Sequence, residues 1–187
     1  MKKLLLGAAF AVFALTTTNA QDDDSMGFEK SDLYVSGTVG FVSASGGASD
    51  GTAYNFSPSV GYFLTENIAL EANLSFGDAG GDDSGSFGFG AGARYFLAPA
   101  SQFSLTLGAG LNYNSQETGP DVKVNTFTIA VAPGVNYFVS DAFALRATVG
   151  SLGYTSAKAD TDGAESVSQF GLNLNLSNIN FGMTYKF

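Results

Sequence analysis

Alternation of large apolar and small polar residues constrains this chain most. From residue 33 onward the pattern repeats every second position, and no segment there keeps a long helical period. Period two places alternate side chains on opposite faces of a strand. In the stretch from Ile68, residues Ile68, Leu70, Ala72, Leu74 and Phe76 share one parity, while Ala69, Glu71, Asn73 and Ser75 share the other. Further on, Phe103, Leu105, Leu107, Ala109, Leu111 and Tyr113 alternate with Ser104, Thr106, Gly108, Gly110, Asn112 and Asn114. One face is bulky and apolar; the other is small, polar and rich in glycine. The reading gives eight strands, at 33–44, 53–64, 68–77, 86–97, 102–113, 124–138, 142–154 and 167–187.

The composition agrees. The 187 residues include 24 Gly, 17 Phe and 8 Tyr, a vocabulary of strands and turns. Charged residues make up 13%, about half the ~25% usual for globular domains. There is no Cys and no His. Disulfides and thiolate metal sites are excluded, and the commonest general base and metal ligand is missing. No enzymatic constellation stands out, and no cofactor or metal is expected. The formal charge of −9 repels a phosphate backbone, so nucleic acid is not expected as a partner.

The first twenty residues read as a secretory signal peptide: Lys2 and Lys3, an apolar run from Leu4 to Leu15, then small and polar residues to Ala20. The apolar run is shorter than the ~20 residues needed to cross a bilayer as a helix. Its removal leaves six basic against 17 acidic residues, a formal charge of −11. Residues 21–32 form an acidic leader, expected to be mobile, and the barrel domain spans 33–187.

Connection lengths alternate. Short turns follow strands two, four and six, at Thr65-Glu66-Asn67, 98–101 and Ser140-Asp141; long polar connections cover roughly 45–52, 78–85, 115–123 and 155–166. Short turns at one end and long loops at the other suit an eight-stranded antiparallel up-and-down transmembrane β-barrel. Pro58 and Pro133 each remove a ladder donor, so local bulges or edge irregularity are expected there. The last segment switches parity between Leu176 and Ile179, which calls for a bulge near Ser177-Asn178 or a break into two elements.

Alternation does not say which face points outward. A soluble ligand-binding barrel would bury the apolar face inside; a membrane barrel shows it to lipid. Three features favour the membrane. Aromatics mark both strand ends: Tyr62-Phe63, Tyr95-Phe96, Tyr137-Phe138, Tyr185 and Phe187 at the short-turn end, and Tyr54, Phe87, Tyr113, Phe127 and Tyr154 at the other. Tyr62, Tyr95, Tyr137, Tyr185 and Phe187 are the expected girdle. Glu71, Arg94, Arg146 and Lys186 all lie on the polar parity, away from lipid. The small side chains of that parity suit a narrow lumen.

Those four charges form the expected luminal network. Glu71, Arg94 and Arg146 are expected at similar depth and Lys186 lower, near the periplasmic rim; Glu71 and Arg94, on adjacent strands, can pair directly, while Arg146 and Lys186, across the barrel, can join them through long side chains or water. An unpaired buried charge is costly, so a paired plug is expected, with a gate for small solutes as the alternative. Among the loop carboxylates, Asp78, Asp82 and Asp83 and the group Asp160, Asp162 and Glu165 match no calcium-loop spacing and read as solvated charge.

The signal peptide, the eight amphipathic strands and the ending Phe181-Gly182-Met183-Thr184-Tyr185-Lys186-Phe187 resemble small OmpA/OmpX-type outer-membrane β-barrels. The repeated Gly61-Tyr62-Phe63-Leu64, Arg94-Tyr95-Phe96-Leu97 and Asn136-Tyr137-Phe138-Val139 are similar to hairpin repeats of such barrels, and Asn19-Ala20-Gln21 resembles signal ends of the Bacteroidetes. The resemblance implies a monomer in the bacterial outer membrane, with lipid around it. It also implies recognition by the barrel-assembly machinery through the strand ending in Phe187. The resemblance is specific for architecture and not for task; with no catalytic constellation in the sequence, the expected task is non-enzymatic, envelope integrity or surface contact through the external loops, with a narrow gated channel as the alternative.

Overall fold

The computed structural model describes residues 26–44, 51–78, 84–119, 122–173 and 179–187. The signal peptide, residues 21–25 and the expected bulge near Ser177-Asn178 lie outside these. Ten strands are formed among the described residues: β1 (Leu33–Ala44), β2 (Gly51–Phe63), β3 (Ile68–Asp78), β4 (Gly85–Phe96), β5 (Phe103–Gly119), β6 (Val122–Phe138), β7 (Phe143–Val149), β8 (Ser151–Ala159), β9 (Val167–Asn173) and β10 (Ile179–Lys186). They make a closed eight-strand antiparallel barrel, because the expected seventh strand is divided into β7 and β8 and the eighth into β9 and β10. From β1 to β6 each strand pairs with the next; β6 then pairs with both β7 and β8, β8 with β9 and β7 with β10, and β1 closes the ring on β10 from Tyr34 opposite Lys186 to Thr38 opposite Gly182.

The division of strand seven has a local cause. On β6, Val131 pairs with Leu152 of β8 and Gly134 with Thr148 of β7. Two residues, Ala132 and Pro133, therefore face three, Val149, Gly150 and Ser151. Pro133 has no N–H to give, and Gly150 takes the extra residue in a left-handed conformation, φ 67°. Towards β5 the register through Pro133 is unbroken, so the irregularity appears on the neighbouring strand. Pro58 acts more mildly: the β2–β3 ladder pairs Phe56 with Phe76 and Ser59 with Asn73, and skips the two positions between while keeping register.

Two connections differ from the sequence expectation. The segment expected as a long loop over 115–123 is mostly strand: β5 and β6 stay paired out to Glu117 opposite Lys123, with a bulge between Glu117 and Gly119. The β8–β9 connection is likewise shorter than the expected 155–166 span. Alternation with partner residues available on both sides continues the ladder until a glycine with positive φ, Gly119, ends it.

The apolar parity points outward all round. Phe89, Leu105, Leu111 and Leu145 are exposed on the wall, and Phe181 is 68% exposed. That overturns the soluble alternative, which needs this face inside. The core lies at the short-turn end of the lumen, where Tyr34, Phe63, Phe96, Phe138, Ala69 and Ala144 are buried around Phe28. Phe28 belongs to the leader expected to be mobile. Residues 26–32 instead fold back into the barrel mouth, leaving Phe28 only 1% exposed.

Candidate functional site

The charges on the inner parity meet one layer above this aromatic core. On an antiparallel wall, successive inward positions are two residues apart. On β3, Ala69 lies in the core and Glu71 above it; on β4, Phe96 lies in the core and Arg94 above it; on β7, Ala144 and Arg146 stand in the same relation. Glu71 pairs with Gly92 and Arg94 with Ala69, so the two charges on neighbouring strands are diagonal neighbours within reach of long side chains, while Arg146 is paired with Asn136 on β6.

Glu71 is the centre. Arg94 Nε donates to both carboxylate oxygens at 3.1 Å, and Arg94 Nη2 lies 3.0 Å from Oε2. Arg146 Nη1 donates to Oε1 at 2.6 Å, and the Tyr34 hydroxyl donates to the same oxygen at 2.7 Å. The Arg146 guanidinium also lies over the Tyr34 ring, 5.3 Å from its centroid. The Glu71 side chain is 15% exposed, Arg94 13% and Arg146 9%, so the pairs are largely shielded from bulk water. Arg94 grips Glu71 through a two-point fork, the geometry that gives guanidinium–carboxylate pairs their directionality.

Small residues make room for these large ones. A Cβ on Gly61 would overlap the Tyr34 ring, and one on Gly108 would stand 3.2 Å from the Arg94 guanidinium. The layer is not fully satisfied. Arg94 Nη1, Arg146 Nε and Nη2, Thr106 Oγ1 and Asn136 Oδ1 are buried with no hydrogen-bond partner among the described residues. Two guanidiniums against one carboxylate leave it with a net positive charge.

Of the four charges grouped by sequence, the structure thus joins Glu71, Arg94 and Arg146. Lys186 sits one layer lower, opposite Tyr34 on the closing strand; its Nζ donates to the Gly27 carbonyl at 2.8 Å and lies 5.9 Å from the Phe138 ring centroid. Tyr34 is the member that sequence reasoning missed. It is an aromatic on the polar parity of the first strand, and that misplacement was its only signal.

The aromatic girdle divides in the same way. Tyr62, Tyr95, Tyr137 and Tyr185 face outward. Tyr185 packs edge-on against Phe143 and Phe187, both at 4.9 Å between ring centroids. Phe63, Phe96 and Phe138, the second members of the Tyr-Phe pairs, turn inward and pack on Phe28 at 4.8, 5.4 and 4.9 Å. Adjacent strand residues cannot share a face, so every such pair supplies one ring to the girdle and one to the lumen. At the far end Tyr54, Phe87, Tyr113, Phe127 and Tyr154 are exposed on the outer wall. Among the described residues no three acidic side chains converge as metal ligands; Asp82 and Asp83 lie outside them.

A family model for the outer membrane protein beta-barrel domain matches residues 8–187. Among solved structures, the chain is similar to the N-terminal β-barrel domain of Pseudomonas aeruginosa OprF, with TM-score 0.54 and 13% identity over 86% of this chain and 100% of that one. It is similar also to the outer membrane protein OprG from Pseudomonas aeruginosa, with TM-score 0.54 and 14% identity over 88% of this chain and 99% of that one. Identities this low speak for the fold alone. No curated protein sequence matches the chain. The outward apolar wall, the closed ring of strands and a family match over nearly the whole length lead to one conclusion: this chain belongs to the outer membrane protein β-barrel domain family.

Proposed function

We propose that this protein is a non-enzymatic barrel of the bacterial outer membrane that contributes to envelope integrity or surface contact through its external loops. The observation that carries this reading is the filled lumen. Above a layer of packed aromatic rings stands a second layer in which Glu71 binds Arg94, Arg146 and Tyr34. A barrel closed across its width offers solutes no path, so what remains for recognition is the surface, above all the loops. The signal peptide is removed on export, the short turns face the periplasm and the long connections face outward. One chain closes its own wall, which suits a monomer surrounded by outer-membrane lipid. The closing strand carries Tyr185 and Phe187, and the Phe187 N–H reaches the Leu33 carbonyl at 3.0 Å. Through this strand the barrel-assembly machinery would take hold of the chain.

The test is planar-bilayer conductance of the refolded protein, with heat-modifiable gel migration as the check of folding. The folded protein is expected to shift on heating and to pass no current. Steady conductance would overturn the closed reading in favour of a gated channel. The unpartnered guanidinium nitrogens of Arg94 and Arg146 favour that second reading, since they leave donors for an alternative pairing.

A further inference from the structure

We propose that the segment before the first strand is the barrel's own cork, set in series with the charged layer, so that the lumen opens only when both seals are removed. The two layers are adjacent but chemically distinct. The lower is apolar: Phe28 contacts Tyr34, Phe63, Phe96 and Phe138 at 4.8–5.4 Å between ring centroids. The upper is ionic, centred on Glu71. Tyr34 belongs to both, its ring against Phe28 and its hydroxyl on Glu71.

The cork is held by its own contacts. The Phe28 N–H donates to the Pro99 carbonyl at 2.8 Å, the Lys186 ammonium to the Gly27 carbonyl at 2.8 Å, and the Ser31 N–H to the Phe63 carbonyl at 3.0 Å. Gly27 has φ +127° and is pressed so closely on the backbone of Pro99 and Ala100 that a Cβ would collide with it. Ser31 is in the left-handed region at φ 77°, which turns the segment back into the mouth. No ladder pair between strands involves residues 26–32: closure of β1 on β10 begins at Tyr34. The leader can therefore leave the mouth while the wall stays closed, and the charged layer above is built from Tyr34 of β1 and from β3, β4 and β7 without it. Each seal spans the same narrow bore, so either alone blocks it. This rests on the closed-lumen reading above.

The test compares four refolded proteins in planar bilayers: unmodified, Phe28→Ala, Glu71→Ala with Arg94→Ala, and the combination. The paired substitution removes one charge of each sign. Heat-modifiable migration establishes that each is folded. The first three are expected to be silent, and the combination to conduct at least tenfold more than the two partial variants together. A partial variant that conducts as well as the combination overturns the series arrangement and leaves the closed reading of the native barrel standing. A folded combination that stays silent overturns it too, and current through the unmodified protein overturns both. A second readout uses the absence of cysteine. Ala144→Cys, in the apolar layer, is expected to resist a charged thiol reagent in detergent and to react at least tenfold faster when Phe28→Ala is added. An unchanged rate would show that Phe28 is no seal, and this decides the cork even if the combined variant does not refold.

Discussion

The two ends of this barrel share one wall pattern and differ in what fills them. At the short-turn end, inner positions carry Tyr34, Phe63, Phe96 and Phe138, with Phe28 inserted among them, and the charged layer follows directly above. Towards the long-loop end the inner parity falls to Ser59, Asn73, Gly92, Gly108, Gly134 and Gly182. There β9 is exposed along its whole length, with Phe170 at 72%. The outer face is apolar at both ends. Strand alternation and lipid contact therefore maintain the wall everywhere, while inward packing concentrates at one end. Substitutions of similar size should cost much at the short-turn end and little at the other.

The sharpest challenge to that contrast is Glu71→Ala. It leaves the Arg94 and Arg146 guanidiniums facing one another without their carboxylate. Breaking a buried pair by removing one partner costs about 3–5 kcal/mol, and here two cations lose the same partner. Urea unfolding of the protein refolded into liposomes is expected to show a loss in that range. A loss below about 1 kcal/mol would mean that the layer is hydrated like a surface pair and that the two ends do not differ in this respect. Phe28→Ala comes next. A buried Phe truncated in a fixed core costs roughly 3–5 kcal/mol. The leader can undock, however, and its docking free energy caps the loss, so about 3 kcal/mol is expected from the same unfolding measurement.

Phe28 also marks where sequence reasoning stopped. The wall was legible because alternation is a local property: the two faces, the short turns and the shared polar parity of Glu71, Arg94 and Arg146 follow from parity and strand spacing, and the aromatic strand ends and the uncharged apolar parity point that apolar face to lipid. The direct Arg146–Glu71 contact was not, since the two residues are 75 positions apart and meet only across the closed ring. The lower position expected for Lys186 is where the structure has it, opposite Tyr34, but its ammonium turns to the Gly27 carbonyl of the leader, a partner that strand spacing does not reveal. The leader was read from its acidic residues, and its single buried ring was outweighed by Asp22, Asp23, Asp24, Glu29 and Asp32. Burial of one side chain by a short segment leaves no periodic trace. The division of strand seven lay between these cases: Pro133 announced an irregularity, but the extra residue appeared at Gly150 on the neighbouring strand.

Gly61→Ala probes the packing of the short-turn end from the wall. Its new methyl group would overlap the Tyr34 ring, which is fully buried and tied to Glu71. Over-packing typically costs 1–3 kcal/mol, and about 2 kcal/mol is expected here by urea unfolding. Pairing it with Tyr34→Phe tests the route of the damage. If Gly61→Ala acts by pushing the Tyr34 hydroxyl off Glu71, the two losses overlap and their combination costs less than their sum. Strict additivity would place the strain in the backbone instead and detach it from the charged layer.

The smallest effect is expected at the other end, where Lys123 faces Glu117 across the extended β5–β6 hairpin. Their charged groups are 3.4 Å apart, but the side chains are 52% and 45% exposed. Such a pair resembles Glu71 with Arg94 in distance and differs in environment. Water and salt screen it, and ordering two long side chains offsets most of the attraction. Lys123→Ala is therefore expected to change unfolding free energy by no more than about 0.5 kcal/mol, and raising the ionic strength should remove even that. A cost comparable to Glu71→Ala would mean that the hairpin tip is as well packed as the short-turn end, and the contrast between the two ends would then lie only in the chemistry of their side chains.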